Sequence, residues 1–259
     1  MLQTVAGHDV WVVSHEQGPA PDLLIHCSLA DHRSLLPLVN ARAQPACLFD
    51  MPGHGKSADW SGSGDFQTVC AEIGGALCTD GPAHIIGHSF GATVALRMAV
   101  MWPARVKALS LIEPVFFAAA AGTPAYAAHE ADFAPFTAAM DRGDVMTAAA
   151  IFHGLWGQGA WSDLPAPVKS HLAARIHLIP AGAGAIQDDN AKLLSPGVLE
   201  GIKVPATLIR GDKSPSVIAA IHAELVARLP HASDRVVKGA GHMLPLTHVP
   251  EVARIMAKA

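Results

Sequence analysis

The amino-acid sequence predicts an α/β fold, a doubly wound and mostly parallel sheet carrying an inserted helical cap. Three observations carry this expectation. Short β-branched runs alternate with helical segments over most of the chain, the signature of βαβ units. Several of these runs are apolar on both faces, as central strands covered on both sides must be. From Val115 to Leu199 the alternation stops, and an Ala-rich, Gly-punctuated stretch takes its place. The expected organisation is therefore a core of residues 1–114 and 200–259 with a helical cap, or lid, at 115–199.

Taken in order, Val10–Val13 and Leu23–His26 read as strands separated by the turn-rich Gln17-Gly18-Pro19-Ala20-Pro21. A helical pattern from about Asp31 to Asn40 leads to a buried run, Ala46–Phe49. The Gly/Pro loop Asp50-Met51-Pro52-Gly53-His54-Gly55-Lys56-Ser57 follows. Phe66–Cys78 reads as a helix with Asp65 as N-cap. Ala83–Ile86 is a strand, Ala92–Met101 a helix and Val106–Ile112 another strand. Inside the cap, helices are expected near Tyr126–Arg142, Val145–Gly154 and Val168–Ile176. Strand and helix then alternate again through Val204–Arg210, Val217–Arg228, Ser233–Val237 and Val249–Lys258.

Bulk properties narrow the function. The 259 residues are 51% hydrophobic and 15% charged, which predicts a compact globule with a large core. A formal charge of -4 leaves no basic footprint for nucleic acid. No apolar run approaches the ~20 residues of a membrane helix, and Met1-Leu2-Gln3-Thr4 does not begin a signal peptide. Cys27, Cys47, Cys70 and Cys78 show no C-x-x-C or metal-ligand spacing and read as buried free thiols of a cytoplasmic protein. The 15 histidines raise the question of zinc. No H-E-x-x-H is present, and His84 and His88 fall on a strand and its turn, so no metal is expected. A glycine fingerprint after the first strand is also missing, which argues against a nucleotide-binding fold.

The chemistry centres on Gly87-His88-Ser89-Phe90-Gly91, which lies between a buried strand and a helix. A serine hydroxyl becomes a useful nucleophile only where a base reaches its proton. A one-residue corner between strand and helix presents it, and glycines on either side relieve the crowding such a corner creates. Other polar residues follow other strands on the same carboxyl edge: His26 to Leu29, Glu113 and Asp212. His242 lies in the glycine-flanked loop after the last strand, suited to a general base. A serine first, an acid second and a histidine last is the order of one hydrolase class.

These motifs resemble the alpha/beta-hydrolase fold superfamily over essentially the whole chain. The match rests on Gly87-His88-Ser89-Phe90-Gly91, the loop Asp50–Ser57, and Gly239-Ala240-Gly241-His242. The resemblance implies Ser89 as nucleophile and His242 as base, with an oxyanion hole built from the N–H groups of Phe90 and Ser28. Cys27 departs from the family, which usually has glycine there, and leaves Leu29 as another possible donor. Family members commonly place an aspartate three residues past the glycine ending the penultimate strand. Here that position is Ser214, and Asp212 lies one residue past Gly211. Other members take the acid from the end of the strand before the cap, where Glu113 stands. Glu113 is the preferred acid and Asp212 the alternative.

The expected function is a serine hydrolase cleaving a small-to-medium hydrophobic carboxylic ester, thioester or lactone, with no cofactor. Phe116, Trp156 and Met243 are candidate pocket residues; His54, Lys56, His88 and Asp50 read as turn, packing or bracing residues. Haloalkane dehalogenases and epoxide hydrolases need a carboxylate where Ser89 stands. A C–C bond hydrolase, an acyltransferase, a cofactor-free haloperoxidase and, in another class, a non-catalytic binding protein are the alternatives. The expected partner is a small hydrophobic acyl substrate, with no nucleic acid or membrane, and the chain would be a monomer or homodimer.

Overall fold

A computed structural model describes residues 1–16, 18 and 21–257. Among the described residues, eight strands form one sheet: β1 (Leu2–Val5), β2 (His8–His15), β3 (Asp22–Ile25), β4 (Ala46–Phe49), β5 (Ala83–His88), β6 (Val106–Ile112), β7 (Ala206–Gly211) and β8 (Ala232–Val237). Their spatial order is β1-β2-β4-β3-β5-β6-β7-β8. β1 pairs antiparallel with β2 and β2 with β4; every pairing from β4 onward is parallel. The parallel strands therefore end on one edge, and the chain order reverses between β4 and β5 around β3, where ligand sites form in such sheets.

The burial pattern explains this arrangement. β3, β4 and β5 are buried at every position, so both faces must be covered. On one face α2 (Phe66–Leu77) and α3 (Phe90–Met101) pack over Leu23, Ile25 and Ile85, joined by α9 (Ser216–Arg228) over Leu208. On the other, α1 (Leu36–Arg42) and α11 (Val249–Met256) cover Leu24, Leu48, Ile86 and Ile209. Alternate residues of each strand serve alternate layers, which is the period-two rule of a strand applied to a sheet buried on both sides. Asp65 caps α2 by accepting from the Thr68 N–H at 2.8 Å.

The segment after β6 is helical. α4 (Pro124–Asp141), α5 (Val145–Trp156), α6 (Ala166–Arg175), α7 (Leu178–Ala181) and α8 (Ala183–Ile186) lie between β6 and β7 in the chain, and among the described residues no strand falls here. A separate apolar cluster built on Phe136, Ala139, Ala148, Ala149 and Ile176 holds α4, α5 and α6 together and includes Leu29 of the core. Three local differences from the sequence reading stand out. β1 was not anticipated, because Leu2-Gln3-Thr4-Val5 is largely exposed and too short for a periodic signal. A short α10 (Leu244–Thr247) precedes α11, with Pro245 in its first turn. The Asp31–Asn40 pattern is a 3-10 turn at His32–Ser34 followed by α1, broken where Pro37 fits a helix start. Parts of the Gln17–Pro21 turn and the expected end of the last helix at Lys258 lie outside the described residues. Among the described residues, no helix is long and apolar enough to cross a membrane.

Candidate active site

Ser89 sits at the corner between β5 and α3 with φ 57° and ψ −120°, a conformation that a non-glycine residue adopts only when its surroundings enforce it. Its N–H donates to the Ile112 carbonyl at 2.8 Å, extending the β5–β6 ladder one residue beyond the strand. The flanking glycines are steric requirements. A Cβ on Gly87 would collide with the Gly91 carbonyl, and a Cβ on Gly91 with the carbonyl oxygens of Ile25 and His26 at the end of β3. The Phe90 N–H is the first free donor of α3, where the helix dipole favours negative charge.

Glu113 follows β6 directly. It is fully buried, has φ 52°, and its N–H donates to the Ile209 carbonyl at 2.9 Å. Its Oε2 lies 3.0 Å from Nδ1 of His242. Its Oε1 accepts from the Gly211 N–H and from the Ser214 hydroxyl, both at 2.7 Å. Burial opposes ionisation of this carboxyl, but the hydrogen bond and charge of His242, with the Ser214 and Gly211 donors, hold its pKa below the ordinary glutamate value. A buried carboxylate with three donors is a satisfied one.

The His242 backbone is also fixed. His88 Nε2 donates to the His242 carbonyl at 2.9 Å, and burial, reinforced by the nearby His242, pushes the His88 pKa down to about 3. His88 is thus a neutral donor beneath the loop. The Trp156 ring packs edge-on to His242 at 4.8 Å between centroids. Asp212 is exposed and does not reach His242; its Oδ1 accepts from the Gly239 N–H at 2.7 Å and braces the loop that carries the histidine. Ser89 and His242 border the same cavity, and among the described residues no hydrogen bond joins their side chains.

Ser28 borders the same space. Neither the Ser28 nor the Phe90 N–H has a protein acceptor among the described residues. His26 organises this loop. Its Nε2 accepts from the Met51 N–H at 3.0 Å, which leaves Nδ1 protonated to donate to the Cys27 carbonyl at 2.7 Å. Burial lowers the His26 pKa and keeps the ring neutral, as this pairing requires. Cys27, which stands where the resemblance implies glycine, is buried, and burial raises its thiol pKa to about 12.

Two cavities meet at Ser89. The larger, about 300 Å³, is bordered by Phe66, Val115, Phe117, Phe133 and Phe136 among others. The smaller, about 210 Å³, is bordered by Leu29, Ala149, Leu172, His242 and Met243. Trp156 borders both. Phe116, expected to line the pocket, does not: it is fully buried in the core, while its neighbours Val115 and Phe117 face the larger cavity. The expectation was off by one residue. Ser214, at the position where aspartate is common, instead donates to Glu113, a role for which the hydroxyl is the one sequence signal. His26 was noted only as part of a polar strand end.

Among the described residues, one group of side chains is close enough to ask about a metal, Asp31, His32 and Asp50. Its atoms are already engaged. Asp50 Oδ1 accepts from the His32 N–H and lies 2.7 Å from His32 Nδ1, Asp50 Oδ2 accepts from the Lys56 N–H, and Asp31 pairs with Arg33. The donors fit a brace for the Asp50–Ser57 loop. His54 in that loop is buried, hydrogen-bonds to the Pro52 carbonyl at 3.0 Å, and has its pKa pushed down to about 3 by burial.

The fold and this strand–corner–helix site define a doubly wound α/β protein of the hydrolase type. The family model for the alpha/beta hydrolase family matches residues 23–255, and the chain belongs to that family. The chain is 28% identical over 253 residues to "Lipase LipV" of Mycobacterium tuberculosis, covering 92% of each chain. It is 40% identical over 82 residues to the "Pimeloyl-[acyl-carrier protein] methyl ester esterase" of Methylococcus capsulatus, a match covering 30% of this chain and 27% of that one. Among solved structures, an alpha/beta hydrolase from Sphaerobacter thermophilus superposes with a TM-score of 0.74 at 20% identity, covering 99% of this chain and 100% of the other.

Proposed function

We propose that the protein is a serine hydrolase that cleaves a small-to-medium hydrophobic carboxylic ester through an acyl-enzyme on Ser89. The observation that carries this reading is the pairing of a buried Glu113 carboxylate with His242 Nδ1 at 3.0 Å, beside a cavity that also holds Ser89. In this mechanism Glu113 fixes the tautomer that leaves Nε2 of His242 free to accept the Ser89 proton. The Ser89 oxygen attacks the ester carbonyl, and the Phe90 and Ser28 N–H groups stabilise the oxyanion. His242 returns the proton to the departing alcohol, and water then releases the acid by the same route. The Ser89–His242 hydrogen bond, absent between the two side chains here, would form on substrate binding, as catalytic contacts often do.

The 115–199 helices act as a cap over the site, supplying its apolar walls. Relatives carrying the names lipase and methyl ester esterase favour an ester over the C–C, acyltransfer and perhydrolase chemistries. The reaction would run in the cytoplasm, on a monomer or homodimer, without an organic cofactor. The test is labelling with a fluorophosphonate and location of the adduct by mass spectrometry. Rapid modification of Ser89, lost in Ser89→Ala and His242→Ala, is the expected result. A folded protein that does not label would overturn the mechanism and favour a binding role.

A further inference from the structure

We infer that the substrate's acyl group occupies the larger cavity and its alcohol the smaller one, so that the enzyme prefers neutral esters with a bulky apolar acyl part and a short alcohol. This rests on the acyl-enzyme reading above and adds the substrate class to it. The argument begins with the proton. Ser89 Oγ forms a bond to the carbonyl carbon, the C–O bond to the alcohol breaks, and the alcohol leaves with the proton that His242 took from Ser89. The leaving oxygen must therefore lie on the His242 side of Ser89. His242 borders the smaller cavity of about 210 Å³ and not the larger one of about 300 Å³.

The linings agree with this assignment. The larger cavity is walled by the aromatic rings of Phe66, Phe117, Phe133, Phe136 and Phe152. The charged residue of its lining, Asp141, is exposed, as is Thr137, and among the described residues no Lys, Arg or His borders the cavity, so a carboxylate-bearing acyl chain would find no counter-charge there. The smaller cavity runs past Met243 to the exposed Gly157 and Gln158. Each cavity thus reaches solvent at a different place. Phe152 and Trp156, one turn apart on α5, stand between them and border both. The acid and alcohol portions of the substrate are sorted by this partition.

The test uses two isomers that differ only in where the carbon lies, ethyl octanoate and octyl acetate. The inference predicts a kcat/KM at least about tenfold higher for ethyl octanoate, a discrimination that a few methylenes in a fitting pocket produce. Ala183→Phe, which fills the larger cavity alone, should reduce that ratio; Ala149→Leu, which fills the smaller alone, should increase it. The wild-type ratio stands even if either variant fails to fold. A ratio near one or below overturns the inference. Fluorophosphonate labelling of Ser89 in the same preparation separates the two ideas. Labelled protein that prefers octyl acetate has the mechanism but not this sorting, whereas unlabelled, inactive protein lacks the mechanism itself.

Discussion

Replacing Glu113 by glutamine tests the site most sharply, because the carboxylate's surroundings dictate how the amide must sit. Oε1 accepts two hydrogen bonds, from the Gly211 N–H and the Ser214 hydroxyl. Only the oxygen of the amide can keep both. Its NH₂ must then occupy the place of Oε2, facing His242 Nδ1 at 3.0 Å. Two donors cannot share that contact, so the histidine is driven to carry its proton on Nε2, where it can no longer accept from Ser89. In the proposed mechanism the imidazolium formed during attack would also lose its buried counter-charge. The same substitution logic in serine proteases costs about 10⁴-fold in kcat, or about 5.4 kcal/mol of barrier at 1.36 kcal/mol per decade. The assay is steady-state hydrolysis of an ester, with circular dichroism and thermal unfolding to show that the variant is folded. Asp212→Asn should lose less than about threefold, since an amide oxygen keeps the Gly239 N–H and the ordinary net worth of such a bond is about 1 kcal/mol or less. A Glu113→Gln enzyme within about tenfold of wild type, paired with a dead Asp212→Asn, would refute the assignment.

Other outcomes follow from the same contacts. Ser214→Ala should lower kcat by about tenfold and leave KM nearly unchanged, because one of three donors to the Glu113 carboxylate is lost. The folded pKa of Glu113 is depressed, so its contribution to stability is fully present above the ordinary glutamate value of 4.5 and is lost as pH falls through the lower folded value. Acid unfolding curves of wild type and Glu113→Gln should therefore converge at the lowest pH and diverge above it. All four cysteines are buried, and burial raises the pKa of each thiol. Iodoacetamide at neutral pH should leave them unmodified in the native protein without loss of activity, and modify them in denaturant. Gly87→Ala should lower the melting temperature, since its Cβ would meet the Gly91 backbone; a cost of about 3 kcal/mol is at the upper end of overpacking.

Much of this architecture was readable in the residues, and the failures have physical causes. The parallel core announced itself because Leu23-Leu24-Ile25, Cys47-Leu48-Phe49 and Ile85-Ile86 are apolar on both faces, a pattern that has few other uses. The corner at Ser89 was legible because steric crowding leaves glycine the sole option at Gly87 and Gly91. β1 was not, since an exposed edge strand has no burial to write into its sequence. The pocket was misread at Phe116 because an irregular segment has no fixed period from which facing could be inferred. Ser214 and His26 were undervalued for another reason. Their roles depend on hydrogen bonds to Glu113 and to the Met51 and Cys27 backbone, partners that the fold brings together and local spacing does not reveal.

The strained residues show how the sheet itself builds the site. Leu29, Ser89 and Glu113 have φ values of 61°, 57° and 52°, and they stand beyond the carboxyl ends of β3, β5 and β6. A non-glycine residue held in such a conformation costs about 1 kcal/mol or more, so something must enforce each one. For Ser89 and Glu113 it is the ladder. The Ser89 N–H bonds to the Ile112 carbonyl on β6, and the N–H of the next residue, Glu113, bonds to the Ile209 carbonyl on β7. β7 then ends in Gly211, whose N–H returns to the Glu113 carboxylate. Gly211 must be glycine, because a Cβ there would meet the Ala240 carbonyl in the loop that carries His242. Ser89 and Glu113 are therefore tied together by hydrogen bonds across β5, β6 and β7, and His242, in the loop after β8, joins them through the Glu113 carboxylate. A slip of register in β5 or β6 would invert the facing of the strand that leads into Ser89 or Glu113, which makes the parallel core the component that sets the distances.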